Sequence, residues 1–172
     1  GRRLVEGILR EAALPVLLDA DAITNLAGTG LLAQRERPTV ITPHAGELGR
    51  LLGSGAREVS ARRLGSARRA AEEHRCCVLL KGSDTLVVEG ERVAVNSTGN
   101  VALATAGTGD LLSGVIGALL SRGMDTYEAA RAGAWVHGRA AELWLEDAGW
   151  PAESLVATDL LDYLPPAVGE LL

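Results

Sequence analysis

Glycine and small polar residues crowd the segment 96–110, which runs directly into an apolar stretch with helical periodicity. Gly107 and Gly109 let a ligand come close to the main chain, and the first amides of a helix attract phosphate. Asp110 follows at once, and a carboxylate in this place can accept a proton from a hydroxyl group. The alternative is that Asp110 only caps the helix. The segment therefore predicts either a phosphate site with a neighbouring base or a capped helix.

A second group of polar residues follows two β-rich runs. His44 and Glu47 open a predicted helix after the run 39–42. His44 could contact a ligand or cap the helix, and Glu47 could supply negative charge to the first helical turn. The segment 81–85 reads KGSDT and begins with the only lysine among 17 basic residues. Lys81 could bind phosphate or could simply lie in solvent at the end of a strand.

Two other groups of residues have a structural interpretation. Asp19 and Asp21 follow the β-rich run that starts at Val16, and they could cap the next helix or contribute to a site. Trp135, His137 and Trp144 form a stripe on a long predicted helix. Such a stripe is typical of core packing or of a subunit contact.

Several well-known site patterns do not occur in the sequence. It contains no Walker A loop, no dinucleotide-binding Gly-x-Gly-x-x-Gly and no Gly-x-Ser-x-Gly elbow of a serine hydrolase. The three histidines are far apart, and the adjacent Cys76 and Cys77 have no second cysteine pair. These observations argue against zinc chemistry.

The composition limits the partners of the chain. Its 172 residues are 47% hydrophobic and 23% charged, which is typical of one globular domain and excludes disorder. The net charge of −5 and the scattered arginines argue against nucleic acid as a partner. No apolar run approaches the ~20 residues of a membrane span, so we expect no membrane partner. Because adjacent cysteines have poor geometry for a disulfide, we expect a cytoplasmic protein.

Short β-branched runs alternate with helical patterns along the whole chain. This alternation predicts an α/β fold, a mainly parallel sheet flanked by helices on both faces, in a single domain over residues 1–172. A hairpin is predicted around residues 89–91, a long helix over 57–74, and a final helix over 159–164 that stops at two prolines. In such sheets ligands bind at the carboxyl ends of strands, where the polar segments lie.

Three motifs together carry a family resemblance. They are Thr42-Pro43-His44-x-Gly46-Glu47, then Leu80-Lys81-Gly82-x-x-Thr85, and the run from Asn96-x-x-Gly99-Asn100 through Gly107-Thr108-Gly109-Asp110 to Gly114. In this order and spacing they closely resemble the nucleotide-dependent NAD(P)H-hydrate dehydratases, which have the ribokinase-like fold. The resemblance spans residues 16–144. Because the chain starts at Gly1 within a helical pattern, we expect it to be the C-terminal portion of such a domain, truncated at its N-terminus.

The resemblance implies a hydro-lyase that repairs hydrated NADH and NADPH with ADP or ATP as phosphoryl donor. It releases NAD(P)H, phosphate, and AMP or ADP. Mg²⁺ and a homotetramer are implied in the same way. His44 and Asp110 would bind the substrate, with Asp110 as the catalytic base, and Glu47 would hold the metal. The implied nucleotide-binding residues are Lys81, Gly82, Ser83, Asp84, Thr85 and Gly109.

Two other functions stay open at this point. A small-molecule kinase of the same fold, such as a hydroxyethylthiazole-type kinase, would share the Gly-x-Gly-Asp base and the phosphate cradle, although His44 argues against it. The chain could also be an inactive fragment that binds nucleotide without turnover.

Overall fold

The computed structural model describes residues 1–149 and 151–171. Helices and strands alternate along this part of the chain, as the sequence predicts. The α-helices are α1 Arg2–Glu11, α2 Asp21–Leu26, α3 Leu31–Gln34, α4 Ala45–Leu51, α5 Ala56–Ala61, α6 Arg63–His74, α7 Thr108–Ser121, α8 Thr126–Ala148 and α9 Leu164–Gly169. The strands are β1 Val16–Leu18, β2 Thr39–Ile41, β3 Cys77–Leu80, β4 Leu86–Glu89 and β5 Arg92–Val95. Short 3-10 helices cover Val101–Ala104, Ala152–Ser154 and Ala157–Asp162.

The five strands form one mixed sheet in the order β1-β2-β3-β4-β5. The pairs β1–β2 and β2–β3 are parallel, with Leu17 opposite Val40 and Ile41 opposite Val78. The predicted hairpin extends this parallel part through two antiparallel pairings. The three parallel strands end at the same edge of the sheet, and this edge is where the polar segments of the sequence begin.

Helices cover both faces of the sheet, and the strand side chains alternate between the two layers. Ile41 and Leu80 pack on one face with residues of α2, α4 and α6. Val40 and Leu79 pack on the other face with α7 and α8. All residues of β2 and β3 are therefore buried, as expected for strands covered on both sides.

The outer strand β5 is held by a group of charges. Arg92 donates hydrogen bonds to Asp125, at 2.8 Å, and to Glu89. Its guanidinium lies 4.6 Å from the centre of the Tyr127 ring. These contacts tie the edge of the sheet to the start of α8.

The structure corrects two predicted helices. The helix expected over 57–74 is two helices, because Arg62 has a non-helical backbone with φ −138° and ψ 49°. The helix expected to stop before Pro165 is instead a 3-10 segment followed by α9, with Pro165 and Pro166 in the first turn of α9. Proline fits there because the first amides of a helix have no intrahelical partner.

Two further features concern membrane-spanning helices and the two cysteines. Among the described residues, no helix combines the length and apolarity that crossing a membrane requires. Cys76 and Cys77 are both free and buried, and burial raises the pKa of the Cys76 thiol to about 12. These thiols are therefore protonated and unreactive at neutral pH.

Gly138 allows α8 to pack tightly on the loop that contains Thr98. A Cβ atom at Gly138 would lie 2.3 Å from Thr98 Oγ1 and 2.6 Å from the Thr98 carbonyl carbon. We expect Gly138→Ala to lower the free energy of unfolding by about 1–3 kcal/mol through overpacking. Gly117→Ala, whose Cβ would meet nothing within 4 Å, should raise it by up to about 1 kcal/mol. Urea unfolding measures both, and equal effects would contradict the packing.

Candidate functional site

Three side chains emerge at the carboxyl edge of the parallel strands. Asp19 follows β1, His44 follows β2 after two residues, and Lys81 follows β3 directly. The Lys81 amide donates to the Pro43 carbonyl at 2.8 Å, so the two neighbouring loops are joined by their main chains. Parallel pairing therefore brings together residues that are far apart in the sequence.

A cavity of about 620 Å³ opens at this edge. Six residues assigned to the site from the sequence line it: His44, Lys81, Gly82, Ser83, Thr85 and Gly109. The other lining residues are Asn96, Thr98, Gly99, Asn100, Val101, Leu103, Ala104, Thr108, Leu112, Ala134 and His137. Polar groups and apolar side chains share the walls, which suits a ligand with both a polar part and an apolar part.

The amino end of α7 forms one wall. Gly107 has φ +91°, a conformation that L side chains rarely adopt, and this turn starts the helix. The Thr108 hydroxyl donates to the Leu103 and Thr105 carbonyls, each at 2.8 Å. Thr108 and Gly109 then face the cavity in the first helical turn. The positive end of the helix dipole is thus directed at the cavity, as a phosphate site requires.

Asp110 is exposed in the same first turn but is not among the residues that line the cavity. The N-cap of α7 is Gly107, and no side chain caps this helix. The capping alternative for Asp110 is therefore wrong in this structure. Its role as a base stays a prediction, and the neighbouring Gly109 provides the contact with the cavity.

His44 both caps α4 and lines the cavity. Its Nδ1 accepts hydrogen bonds from the Gly46 amide at 2.9 Å and the Glu47 amide at 3.3 Å. Since Nδ1 acts as an acceptor, a neutral His44 ring carries its proton on Nε2. The side chain is 55% exposed, so the ring can also meet a ligand.

Glu47 completes the capping box of α4. Its Oε2 accepts from the His44 amide at 2.8 Å, and its Oε1 lies 3.4 Å from His44 Nε2. None of the cavity-lining residues carries a carboxylate, and the described residues contain no group of three or more potential metal ligands. These residues do not fit an Mg²⁺ ion held by the protein alone, since Mg²⁺ prefers carboxylate or phosphate oxygens. A metal role for Glu47 stays a prediction.

Arg63 shapes the loop at 81–85 from behind. Its guanidinium donates to the Leu80 carbonyl at 3.2 Å and to the Asp84 carbonyl at 2.9 Å. A Cβ atom at Gly82 would lie 2.6 Å from Arg63 Nη2, so glycine is needed for this approach. Asp84 is exposed and does not line the cavity, and its assignment to the nucleotide stays a prediction. Nothing in the local sequence indicates this role of Arg63, because its partners lie 17–21 positions further along the chain.

His137 is a cavity residue that sequence reasoning assigned to packing. The side chain is 6% exposed and lines the cavity. Burial lowers the pKa of His137 to about 4, and the Lys81 charge acts in the same direction, while the Thr108 main chain opposes them. The ring is therefore neutral at pH 7. Trp144 lies in the core as expected.

A family of known proteins shares the sequence pattern of nearly the whole chain. The sequence model of a carbohydrate-kinase-type family, described as NAD(P)H-hydrate dehydratase, matches residues 2–166. This chain belongs to the NAD(P)H-hydrate dehydratase family. The resemblance seen in the three motifs is thereby confirmed.

Individual relatives and solved structures agree with this family assignment. The ADP-dependent (S)-NAD(P)H-hydrate dehydratase of Neisseria meningitidis is 45% identical over 83% of this chain and 50% of its own length. A Bacillus subtilis ADP/ATP-dependent NAD(P)H-hydrate dehydratase, co-crystallised with ATP/Mg²⁺, superposes with a TM-score of 0.88 and 33% identity, covering 99% of this chain and 60% of that one. A hydroxyethylthiazole kinase from Pyrococcus horikoshii, 24% identical with a TM-score of 0.73 over 95% of this chain and 65% of its own, shares the fold. The predicted ribokinase-like α/β fold is confirmed.

The family match has a limited span. This chain covers 32% and 50% of the length of two curated relatives that it matches.

The shape of the 81–85 loop depends on the contacts of Arg63. Arg63→Ala removes the donors that hold the Leu80 and Asp84 carbonyls, so we expect the loop to lose its fixed shape. The affinity for ATP with Mg²⁺ should fall about tenfold, because ordering the loop then costs free energy on binding. Isothermal titration calorimetry measures this loss. The adjacent exposed Arg62→Ala is the matched control, and an equal loss in both variants would contradict the role of Arg63.

The neutral His137 generates a prediction about pH. Because its pKa is lowered from 6.5 to about 4, the folded state binds fewer protons than the unfolded state between these values. The neutral His137 ring therefore contributes fully to the free energy of unfolding above pH 6.5. Up to about 3 kcal/mol of this free energy is lost as the pH falls towards 4. His74 adds to the trend, since burial also lowers its pKa. The urea midpoint of His137→Gln should fall less steeply with acidification than that of the wild type. Parallel pH profiles of the two proteins would contradict the lowered pKa of His137.

Proposed function

We propose that this protein catalyses the nucleotide-dependent dehydration of hydrated NADH and NADPH, as a hydro-lyase that restores the intact cofactor. The observation that carries the proposal is that His44, the Lys81 loop and the amino end of α7 line one cavity. Membership of the family supports the reaction, and the ADP-dependent and ADP/ATP-dependent relatives support ADP or ATP as the phosphoryl donor. Dehydration of the hydrate is thus coupled to consumption of a nucleotide.

The first chemical step is transfer of the terminal phosphoryl group to the hydroxyl of the hydrate. The hydroxyl oxygen forms a bond to the terminal phosphorus, and the hydroxyl proton passes to the Asp110 carboxylate. The bond between this phosphorus and the bridging oxygen of the nucleotide breaks. ADP then leaves as AMP, or ATP as ADP. The Lys81 ammonium and the α7 amides stabilise the negative charge on the transferred group.

The second step is elimination of the phosphate. The nitrogen of the hydrated ring donates its electron pair as the carbon–oxygen bond breaks, and phosphate leaves with the bonding electrons. Loss of a proton from the adjacent ring carbon then restores the double bond. Phosphorylation is needed because a hydroxyl is a poor leaving group.

Mg²⁺ belongs to this proposal as a companion of the nucleotide. The Bacillus subtilis dehydratase was co-crystallised with ATP and Mg²⁺ together. Because the cavity of this chain offers no carboxylate, phosphate oxygens and water would supply most of the ligands of the ion.

Three other expectations stay predictions. They are the homotetramer, the single domain that forms the C-terminal portion of a longer dehydratase domain, and the cytoplasmic location. The free, buried Cys76 and Cys77 support the last of these, since disulfides are rare in the cytoplasm.

Asp110→Asn tests the base and separates the dehydratase from a kinase. The substitution should leave the urea midpoint unchanged, because asparagine is nearly isosteric, but should lower turnover by about 10²–10⁴-fold. The protein is assayed with hydrated NADH, Mg²⁺ and either ADP or ATP. The exposed Asp162→Asn is the control and should keep full activity.

The products decide between the two reactions. A dehydratase releases inorganic phosphate and regains the near-ultraviolet absorbance of reduced nicotinamide. A kinase of the hydroxyethylthiazole type leaves a stable phosphorylated substrate and restores no absorbance. Undiminished turnover in Asp110→Asn would reject Asp110 as the base, whichever product forms.

A further inference from the structure

Asp19 makes contacts that differ from those of a helix cap, which is one of the two roles that the sequence leaves open for it. Its Oδ1 accepts a hydrogen bond from Lys81 Nζ at 2.8 Å, and its Oδ2 accepts one from Ser113 Oγ at 3.3 Å. The N-cap of α2 is Ala20, and no side chain caps that helix. The Asp19 carboxylate therefore links the ends of β1 and β3 to the first half of α7.

The backbone next to Asp19 is strained. Ala20 has φ +50° and ψ −123°, a combination that residues other than glycine rarely adopt. Such a conformation is unfavourable and persists only where the surrounding structure enforces it. The Ala20 carbonyl accepts from the amides of Ile23 and Thr24, so the strained residue is fixed at the start of α2. Strain of this kind is concentrated at functional sites.

The Asp19–Lys81 pair lies against the phosphate-binding end of α7. A Cβ atom at Gly109 would be 3.6 Å from Asp19 Oδ2 and 3.6 Å from Lys81 Nζ. Lys81 and Gly109 both line the cavity, whereas Asp19 does not. The Lys81 side chain is 25% exposed and the Asp19 side chain is 16% exposed, so water screens the ion pair only in part.

A lysine ammonium on four flexible carbons loses rotamer entropy when it binds a ligand. A carboxylate that already holds the ammonium removes part of this cost before the ligand arrives. The ammonium has three N–H donors, of which Asp19 takes one and leaves two for phosphate oxygens. The pair is neutral overall, so the α7 dipole keeps the local field favourable to an anion.

We propose that Asp19 is a positioning residue that, with Ser113, fixes the Lys81 ammonium beside the amino end of α7 to receive the phosphates of the nucleotide. This inference rests on the proposed function for the identity of the ligand. Asp19 acts only through Lys81 and does not touch the nucleotide. Its substitution therefore matters only while Lys81 is present.

A double-mutant cycle on nucleotide binding tests this dependence. The dissociation constants of ATP and ADP with Mg²⁺ are measured by calorimetry for the wild type, Asp19→Asn, Lys81→Ala and the double variant. We expect Asp19→Asn to weaken binding about tenfold in the wild type and by less than about twofold in the Lys81→Ala background. A tenfold loss in both backgrounds would show that Asp19 acts independently of Lys81 and would overturn the proposal.

Two further variants keep the test decisive. Ser113→Ala leaves both charges in place and should weaken binding a few-fold, again only when Lys81 is present, and it replaces Asp19→Asn in the cycle if that variant does not fold. Asp21→Asn is the matched control, because Asp21 is exposed two positions further along and should leave the affinity unchanged. A loss in Asp21→Asn equal to that in Asp19→Asn would overturn the proposal.

The outcome is separable from that of the proposed function. Binding is measured without hydrated cofactor, so a cycle with strong coupling supports the role of Asp19 even if dehydration is not observed. If Asp19→Asn and Lys81→Ala weaken nucleotide binding independently of each other while dehydration is intact, only the role of Asp19 is rejected. Absence of any nucleotide binding by the wild type would reject both.

Discussion

Parallel pairing of β1, β2 and β3 is the constraint on which the site depends. The Thr42 amide donates to the Leu18 carbonyl at 3.1 Å, and the Lys81 amide donates to the Pro43 carbonyl. These main-chain bonds continue the ladder beyond the last strand residues, so the loops leave the sheet side by side. A shift of the register by one residue would turn each side chain to the opposite face.

The charges at the cavity are largely neutralised by the protein itself. Lys81 is paired with Asp19, and His137 is kept neutral by burial. What stays unbalanced is the positive end of α7, directed at the cavity through Gly109. An anion is therefore the charged group that this arrangement accepts most readily.

The sequence predicted those features that depend on local patterns. The long helix α8 and the hairpin of β4 and β5 followed from periodicity and a turn, and the segments around His44 and Lys81 followed from their position after β-rich runs. The three motifs also identified the family, because each is a short run of neighbouring residues that can be recognised without knowledge of the fold.

Contacts between distant residues could not be predicted in this way. The bond between Asp19 and Lys81 spans 62 positions, and those from Arg63 to the 81–85 loop span 17–21. His137 has the spacing of a core residue, and only the fold shows that this face of α8 borders a cavity. Periodicity also missed the break at Arg62 and the start of α9, whose first turn contains two prolines.

The charged contacts of β5 also bear on how the molecule behaves at high concentration. An outer strand exposes unpaired main-chain groups, and another molecule can add a strand there and start aggregation. Arg92, at the beginning of β5, is bound to Asp125 and Glu89 and covers Tyr127. A fixed charge cluster at this point opposes the approach of a second β-strand, which would have to bury these charged groups. The same contacts that join the hairpin to α8 thus protect the sheet against unwanted strand addition.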